Sequence, residues 1–145
     1  MSNKHSVHEL EANWKDYSSH YPKSLLDIGR AKVLIGPDGV VENTEISMAV
    51  MEIDPGCIYP FHNHDAPEVY YVLEGEANCT WGEDEFRAVA GTAIQTIPGM
   101  PHRIESVGDK KFRAVAIWWA PGGNPEVLNC KLNLLEDIKT EGNDL

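Results

Sequence analysis

Residues 56–75 read GCIYPFHNHDAPEVYYVLEG, and the rest of the chain is best understood outward from them. His62, His64, Glu68 and Tyr70 fall at even spacings, so in extended backbone, where successive side chains alternate faces, all four point the same way. Imidazole and carboxylate together suit a divalent transition metal. At about 3.3 Å per residue a straight strand would hold His62 and Glu68 roughly 20 Å apart, whereas ligands to one ion sit about 2.0–2.2 Å from it. The chain must therefore bend between His64 and Glu68. Asp65-Ala66-Pro67 supplies turn residues there, Pro67 lacking the N–H that a ladder requires. A hairpin closing on an ion is the simplest expectation.

The wider spacing carries a family resemblance. Gly56, five residues, His62-x-His64, three residues, Glu68, six residues and Gly75 reproduce the first signature of the cupin superfamily. The stretch from Gly91 through Pro98-Gly99-Met100-Pro101 to His102 is similar to the second. Two departures are visible: Ile97 holds the motif's proline position, with Pro98 one residue late, and Ser106 holds its terminal asparagine position. The resemblance covers roughly residues 44 to 120. It implies an all-β fold, a small antiparallel cupin β-barrel of jelly-roll type, with one metal ion held by His62, His64, Glu68 and His102.

Such a ligand set leaves an octahedral ion two open positions, where a bidentate substrate or dioxygen could bind, so an enzyme is expected. Structural zinc sites fill all four positions, commonly with thiolates, and no cysteine here lies at ligand spacing. Iron(II), manganese, nickel, cobalt and zinc all accept the mixture.

Tyr70 shares the inward face with Glu68 and is the candidate for acid–base work. A free phenol titrates near pH 10, and a nearby cation favours the phenolate. The alternative is a barrel-lining aromatic whose hydroxyl only finds a hydrogen bond. At family level, YPFHNHDAPEVYYVLEGEA (59–77) resembles the cupin-type dimethylsulfoniopropionate lyases of marine bacteria. That resemblance implies that the metal holds a substrate carboxylate while Tyr70 removes the α-proton, expelling dimethyl sulfide and leaving acrylate. A sulfonium needs aromatic faces, and Tyr59, Tyr71, Trp81, Trp118 and Trp119 are candidates. The runner-up is an iron(II) cupin dioxygenase. An isomerase or epimerase, which would want more polar inward faces, and a ligand-binding cupin without catalysis rank below it.

The chain has 145 residues and a formal net charge of −11. One domain is expected, and a polyanionic partner such as nucleic acid or an anionic membrane would be repelled. A small-molecule partner is expected instead. Cys57, Cys79 and Cys130 are odd in number at no paired spacing, and the N-terminus lacks a signal peptide's apolar core. No apolar run approaches the ~18–20 residues of a membrane span. These features predict a cytoplasmic protein with free thiols. Cys57 reads as a small hydrophobe rather than a nucleophile.

Residues 1–30 are expected to form an N-terminal helical extension, 31–125 the barrel and 126–145 a tail. Ser6-Val7-His8-Glu9 has a capping-box pattern, and Leu10, Trp14 and Tyr17 follow at helical spacing. His5, His8 and His20 read as solvated. Strands are expected at 31–36, 44–53, 69–75, 77–81, 86–90, 92–97, 102–106 and 112–120, with Gly82–Glu85 as an acidic turn. Arg103 points outward beside His102 and is a weak candidate for substrate binding. In the last strand Phe112, Ala114, Ala116 and Trp118 share one face while Arg113, Val115, Ile117 and Trp119 share the other, so one tryptophan faces the barrel. Large apolar groups on both faces predict a homodimer.

Overall fold

The computed structural model describes residues 5–16, 28–128 and 132–135. Among them period-two alternation wins nearly everywhere, and the strands assemble into two facing sheets. The larger sheet contains β1 (Lys15–Asp16), β2 (Gly29–Gly36), β3 (Val41–Glu42), β4 (Ile46–Ile53), β6 (Glu68–Glu74), β9 (Ala93–Thr96) and β11 (Phe112–Trp119). Its order is β1-β2-β4-β11-β6-β9, with the short β3 lying parallel to β2 and every other pair antiparallel. The smaller sheet contains β5 (Ile58–Asn63), β7 (Glu76–Trp81), β8 (Asp84–Val89), β10 (His102–Val107) and β12 (Asn133–Leu134), in the order β12-β5-β10-β7-β8. This is the expected all-β antiparallel barrel. Among the described residues no helix is long and apolar enough to cross a membrane.

The core lies between the sheets. Met51 and Ile53 of β4, Tyr70 and Val72 of β6, and Phe112, Ala114 and Ala116 of β11 meet Ala77, Cys79 and Trp81 of β7 and Ile104 of β10. Alternate residues of each strand are buried because a period of two puts them on the inner face. Trp118 continues the inward row of β11 and packs against this cluster, which answers which of the two tryptophans faces inside.

Two junctions differ from the sequence expectation. The segment 64–67 does not close a hairpin: β5 and β6 belong to different sheets, and the chain turns a corner from one to the other. The chain crosses back at Gly75, between β6 and β7. There φ is +81°, and a Cβ would stand 2.3 Å from the Lys111 carbonyl oxygen, so backbone conformation and close approach both require glycine. The acidic turn shortens to Gly82–Glu83, since Asp84 and Glu85 already pair with Trp81 and Thr80.

Among the described residues the expected N-terminal helix contracts to one 3-10 turn, Glu9–Glu11. His8, not Ser6, is its N-cap: the ring accepts from the Leu10 N–H, and Glu11 reaches back to the His8 N–H. An isolated helix this short cannot offset its nucleation cost. The segment instead lies on the outer face of the larger sheet, where Ala12 packs with Leu34 and Val50, and Val7 and Trp14 cover them. The Trp14 ring lies 4.1 Å from the Arg30 guanidinium carbon and 4.2 Å from Lys32 Nζ. Lys32, though buried, is neutralised by Glu9 at 3.4 Å, which also binds Arg113. Burial of this cation is sustained by ion pairing and a ring face together. Tyr17, His20, Cys130 and the tail beyond Leu135 lie outside the described residues.

Candidate metal centre

His62 ends the inward row of β5 and stands opposite His102 of β10. His64 follows the strand, and the corner at 64–67 delivers Glu68 as the first residue of β6. Glu68 lies opposite Thr96 of β9 and Trp118 of β11, while His102 is flanked on its other side by Trp81 of β7. The histidine–glutamate pairing therefore joins the two sheets. The corner is pinned by the Gly99 N–H donating to the His64 carbonyl at 2.8 Å.

One ligand atom each from His64, Glu68 and His102 fall within 4.8 Å of one another. His64 Nε2 is 3.0 Å, and His102 Nε2 3.8 Å, from Glu68 Oε1. His62 stands outside this group of three. Its ring centroid is 4.0 Å from that of His102 and 6.4 Å from that of His64, with Tyr59 stacked on it at 4.1 Å.

All three imidazoles share one arrangement. The Nδ1 atoms of His62, His64 and His102 lie 2.8 Å from the carbonyl oxygens of Pro60, Ala66 and Met100. A carbonyl only accepts, so Nδ1 carries the proton and, in the neutral ring, Nε2 keeps its lone pair. A backbone carbonyl at Nδ1 is the kind of outer partner that orients a histidine for binding a metal through Nε2. His102 Nε2 is buried with no hydrogen-bond partner. A buried acceptor left unpaired is costly, and a cation facing these lone pairs and the Glu68 carboxylate would satisfy it. The donor set fits a divalent transition metal.

Burial favours the neutral ring at His62 and His102. Burial first, and then the neighbouring His102 and His64, push the His62 pKa well below its ordinary value. Burial likewise lowers His102 to about 4, although Glu68 and the Met100 carbonyl oppose it. Burial opposes charge on His64 too, yet the hydrogen bond and charge of Glu68 raise its pKa.

The sign follows. Between pH 6.5 and 4 an unfolded chain protonates histidines that the folded metal-free protein keeps neutral at positions 62 and 102, so stability is lost as pH falls through that window. His102, with its folded-state pKa of about 4, contributes on the order of 3 kcal/mol to that loss. His64 works the other way and offsets part of it. The thermal midpoint of the metal-free protein should drop from pH 7 to pH 4.5; a flat profile would contradict this assignment.

Tyr70 is 5% exposed, on the same face of β6 as Glu68. Its ring centroid lies 6.3 Å from that of His102 and 5.9 Å from that of Trp81. Of the aromatic candidates, Tyr59, Trp81 and Trp118 pack in the interior, whereas Tyr71 faces outward and is exposed, and Trp119 lies on the outer face of β11. Arg103 is not brought to the histidines. It projects from the opposite face of the smaller sheet, along a groove with Thr80, Glu85 and Glu105. Cys57 packs partly buried against the core, Cys79 is a buried free thiol, and burial pushes the Cys79 thiol up to about 12. Thr96 escaped the sequence reading: buried opposite Glu68, it accepts a hydrogen bond from Trp81. Alternation of Ile94 and Thr96 in β9 was the available signal.

Residues 49–118 match the family model described as the cupin domain. The chain carries a cupin domain. Over 86 residues it is 33% identical to the dimethylsulfoniopropionate lyase DddQ of Ruegeria pomeroyi, covering 59% of this chain and 42% of that protein. The crystal structure of that lyase superposes with a TM-score of 0.67 at 28% identity, covering 77% of this chain and 57% of the other. The chain thus spans about half the length of this relative. An RmlC-like cupin from Shewanella frigidimarina gives a TM-score of 0.64 at 16% identity, over 79% and 89% of the two chains. Oxalate decarboxylase from Bacillus subtilis gives 0.57 at 22%, over 65% and 27%. These last two likenesses speak for the cupin fold alone.

Proposed function

We propose that the cupin domain is a metal-dependent lyase, performing a β-elimination on a small carboxylate with a sulfonium leaving group, of the dimethylsulfoniopropionate type. The observation that carries this reading is Tyr70, buried on the strand face of Glu68 with its ring 6.3 Å from that of His102. Similarity to a protein named as a dimethylsulfoniopropionate lyase supports it.

In this reading His62, His64, Glu68 and His102 hold one divalent ion, His62 being the fourth ligand beside the group of three. A bound ion would supply Lewis acidity to the substrate carboxylate and favour the phenolate of Tyr70. Tyr70 oxygen takes the α-proton, the C–H electron pair becomes the new C=C bond, and the C–S pair leaves with sulfur as dimethyl sulfide. The other product is acrylate. Tyr70 then returns its proton to solvent. Tyr59, Trp81 and Trp118 supply the inward aromatic faces, which attract a desolvated cation.

The test is a paired assay on anaerobically purified, metal-analysed protein: volatile sulfide from dimethylsulfoniopropionate, and oxygen consumption on phenolic or diketone substrates. Sulfide release with acrylate in equal amount is expected. Oxygen uptake without sulfide would replace this reading with a dioxygenase.

A homodimer belongs to the same proposal. The N-terminal segment covers the outer face of the larger sheet near Leu34 and Val50, but Tyr71 and Ile46 remain exposed beside the outward Val115, Ile117 and Trp119. A second copy burying that apolar stretch would remove it from water. Sedimentation at micromolar concentration should give twice the chain mass of 16.1 kDa; a species at the chain mass would contradict it.

A further inference from the structure

We propose that Trp81 and Thr96 are positioning residues, an inter-sheet clamp that sets the spacing of the metal-binding group; this rests on the metal reading above. Glu68 and His102 come from different sheets, and each has a cross-strand neighbour that does not itself bind an ion. Thr96 of β9 is opposite Glu68, and Trp81 of β7 is opposite His102. Those neighbours are bonded to each other: Trp81 Nε1–H donates to Thr96 Oγ1 at 2.9 Å. The approach of Glu68 to His102 at 3.8 Å is thus repeated one strand over by a hydrogen bond joining the same two sheets.

The indole is also fixed against both functional rings. It lies 5.0 Å from His102 at a tilt of 34° and meets Tyr70 edge-on at 5.9 Å. Phe86 closes another side at 5.5 Å. Trp81 is 6% exposed and Thr96 1%, so water does not readily replace a lost partner. Without the bond, an N–H and a hydroxyl would be buried unsatisfied. The sheets could relieve this only by parting or admitting water, either of which moves His102 relative to Glu68. Metal–ligand bonds tolerate little of that, because donor atoms must sit at about 2.0–2.2 Å. The clamp therefore acts on metal affinity and coordination geometry through ligands it does not itself supply.

Cobalt(II) is the probe, titrated into metal-free protein and read by its d–d absorption. Thr96→Val keeps shape and removes the acceptor, whereas Thr96→Ser keeps the hydroxyl; Trp81→Phe keeps an aromatic ring and removes the N–H. Thr96→Val and Trp81→Phe should weaken cobalt binding by about 10–100-fold, the range for outer partners of metal ligands, and alter the d–d band. Thr96→Ser should stay close to the parent. Ile53→Val, a core truncation in β4, should lower the thermal midpoint and leave affinity and spectrum unchanged. Parent affinity and spectrum in Trp81→Phe, or in a folded Thr96→Val, would overturn the clamp. If the parent itself takes up no cobalt, the metal reading fails and this inference with it. A parent that binds alongside variants that match it removes the clamp alone.

Discussion

Replacing His64 by alanine is expected to lower affinity for a divalent metal by at least about 100-fold, the upper end of what loss of a mere outer partner costs, while the barrel stays folded. The two halves of that expectation come from where His64 sits. It lies beyond the end of β5 and outside the hydrophobic cluster, so removing the ring opens no cavity in the core. It is also the nearest partner of Glu68, at 3.0 Å, and without it the buried carboxylate retains His102 at 3.8 Å. His102→Ala is the instructive contrast. That residue is wholly buried within the barrel, with its ring against those of His62 and Trp81, so its loss removes a donor and packing together. Metal content and thermal unfolding of both variants, measured side by side, separate the effects. Parent-level metal in His64→Ala would remove His64 from the ligand set.

The legible part of the fold was the part governed by local alternation. The inward rows of β10 and β11 were readable because a buried face repeats every two residues, and His102, Ile104 and Ser106 follow that rule. Sheet membership was not readable, because pairing is non-local. Asp65-Ala66-Pro67 reads as a turn, but a turn inside a hairpin and a corner between sheets use the same residues. The Gly75 corner was legible only as a motif glycine, since its reason is the Lys111 carbonyl, thirty-six residues further on.

The N-terminal segment misled for a different reason. Leu10 and Trp14 fit helical spacing, yet Trp14 is needed over Arg30 and Lys32, and Leu10 is left in solvent. Tertiary docking prevailed over a weak local pattern. At the candidate site, spacing pointed to the residue types and the face. The carbonyls of Pro60, Ala66 and Met100 that fix the imidazoles are backbone atoms, and side-chain identity says nothing of them.

Changing Tyr70 to phenylalanine is expected to cost 10²–10⁴-fold in kcat, roughly 3–5 kcal/mol of barrier, the usual contribution of a general acid–base group. The substitution isolates one oxygen. The ring, buried between Trp81 and His102, keeps its contacts, and the imidazoles keep their own carbonyl partners, so metal content should not change. Substrate binding should also survive, because in the proposed reading the carboxylate would be held at the metal and the sulfonium by aromatic faces; the loss should fall on kcat rather than KM. A hydroxyl that only orients a substrate would lose much less, about the 0.5–1.5 kcal/mol of an ordinary hydrogen bond. The measurement is kcat for parent and variant at matched metal content, with dimethyl sulfide and acrylate both quantified. A fall of less than about tenfold, or ~1.4 kcal/mol, would remove Tyr70 as the base and, with it, the main structural support for proton abstraction over oxygen chemistry at this centre.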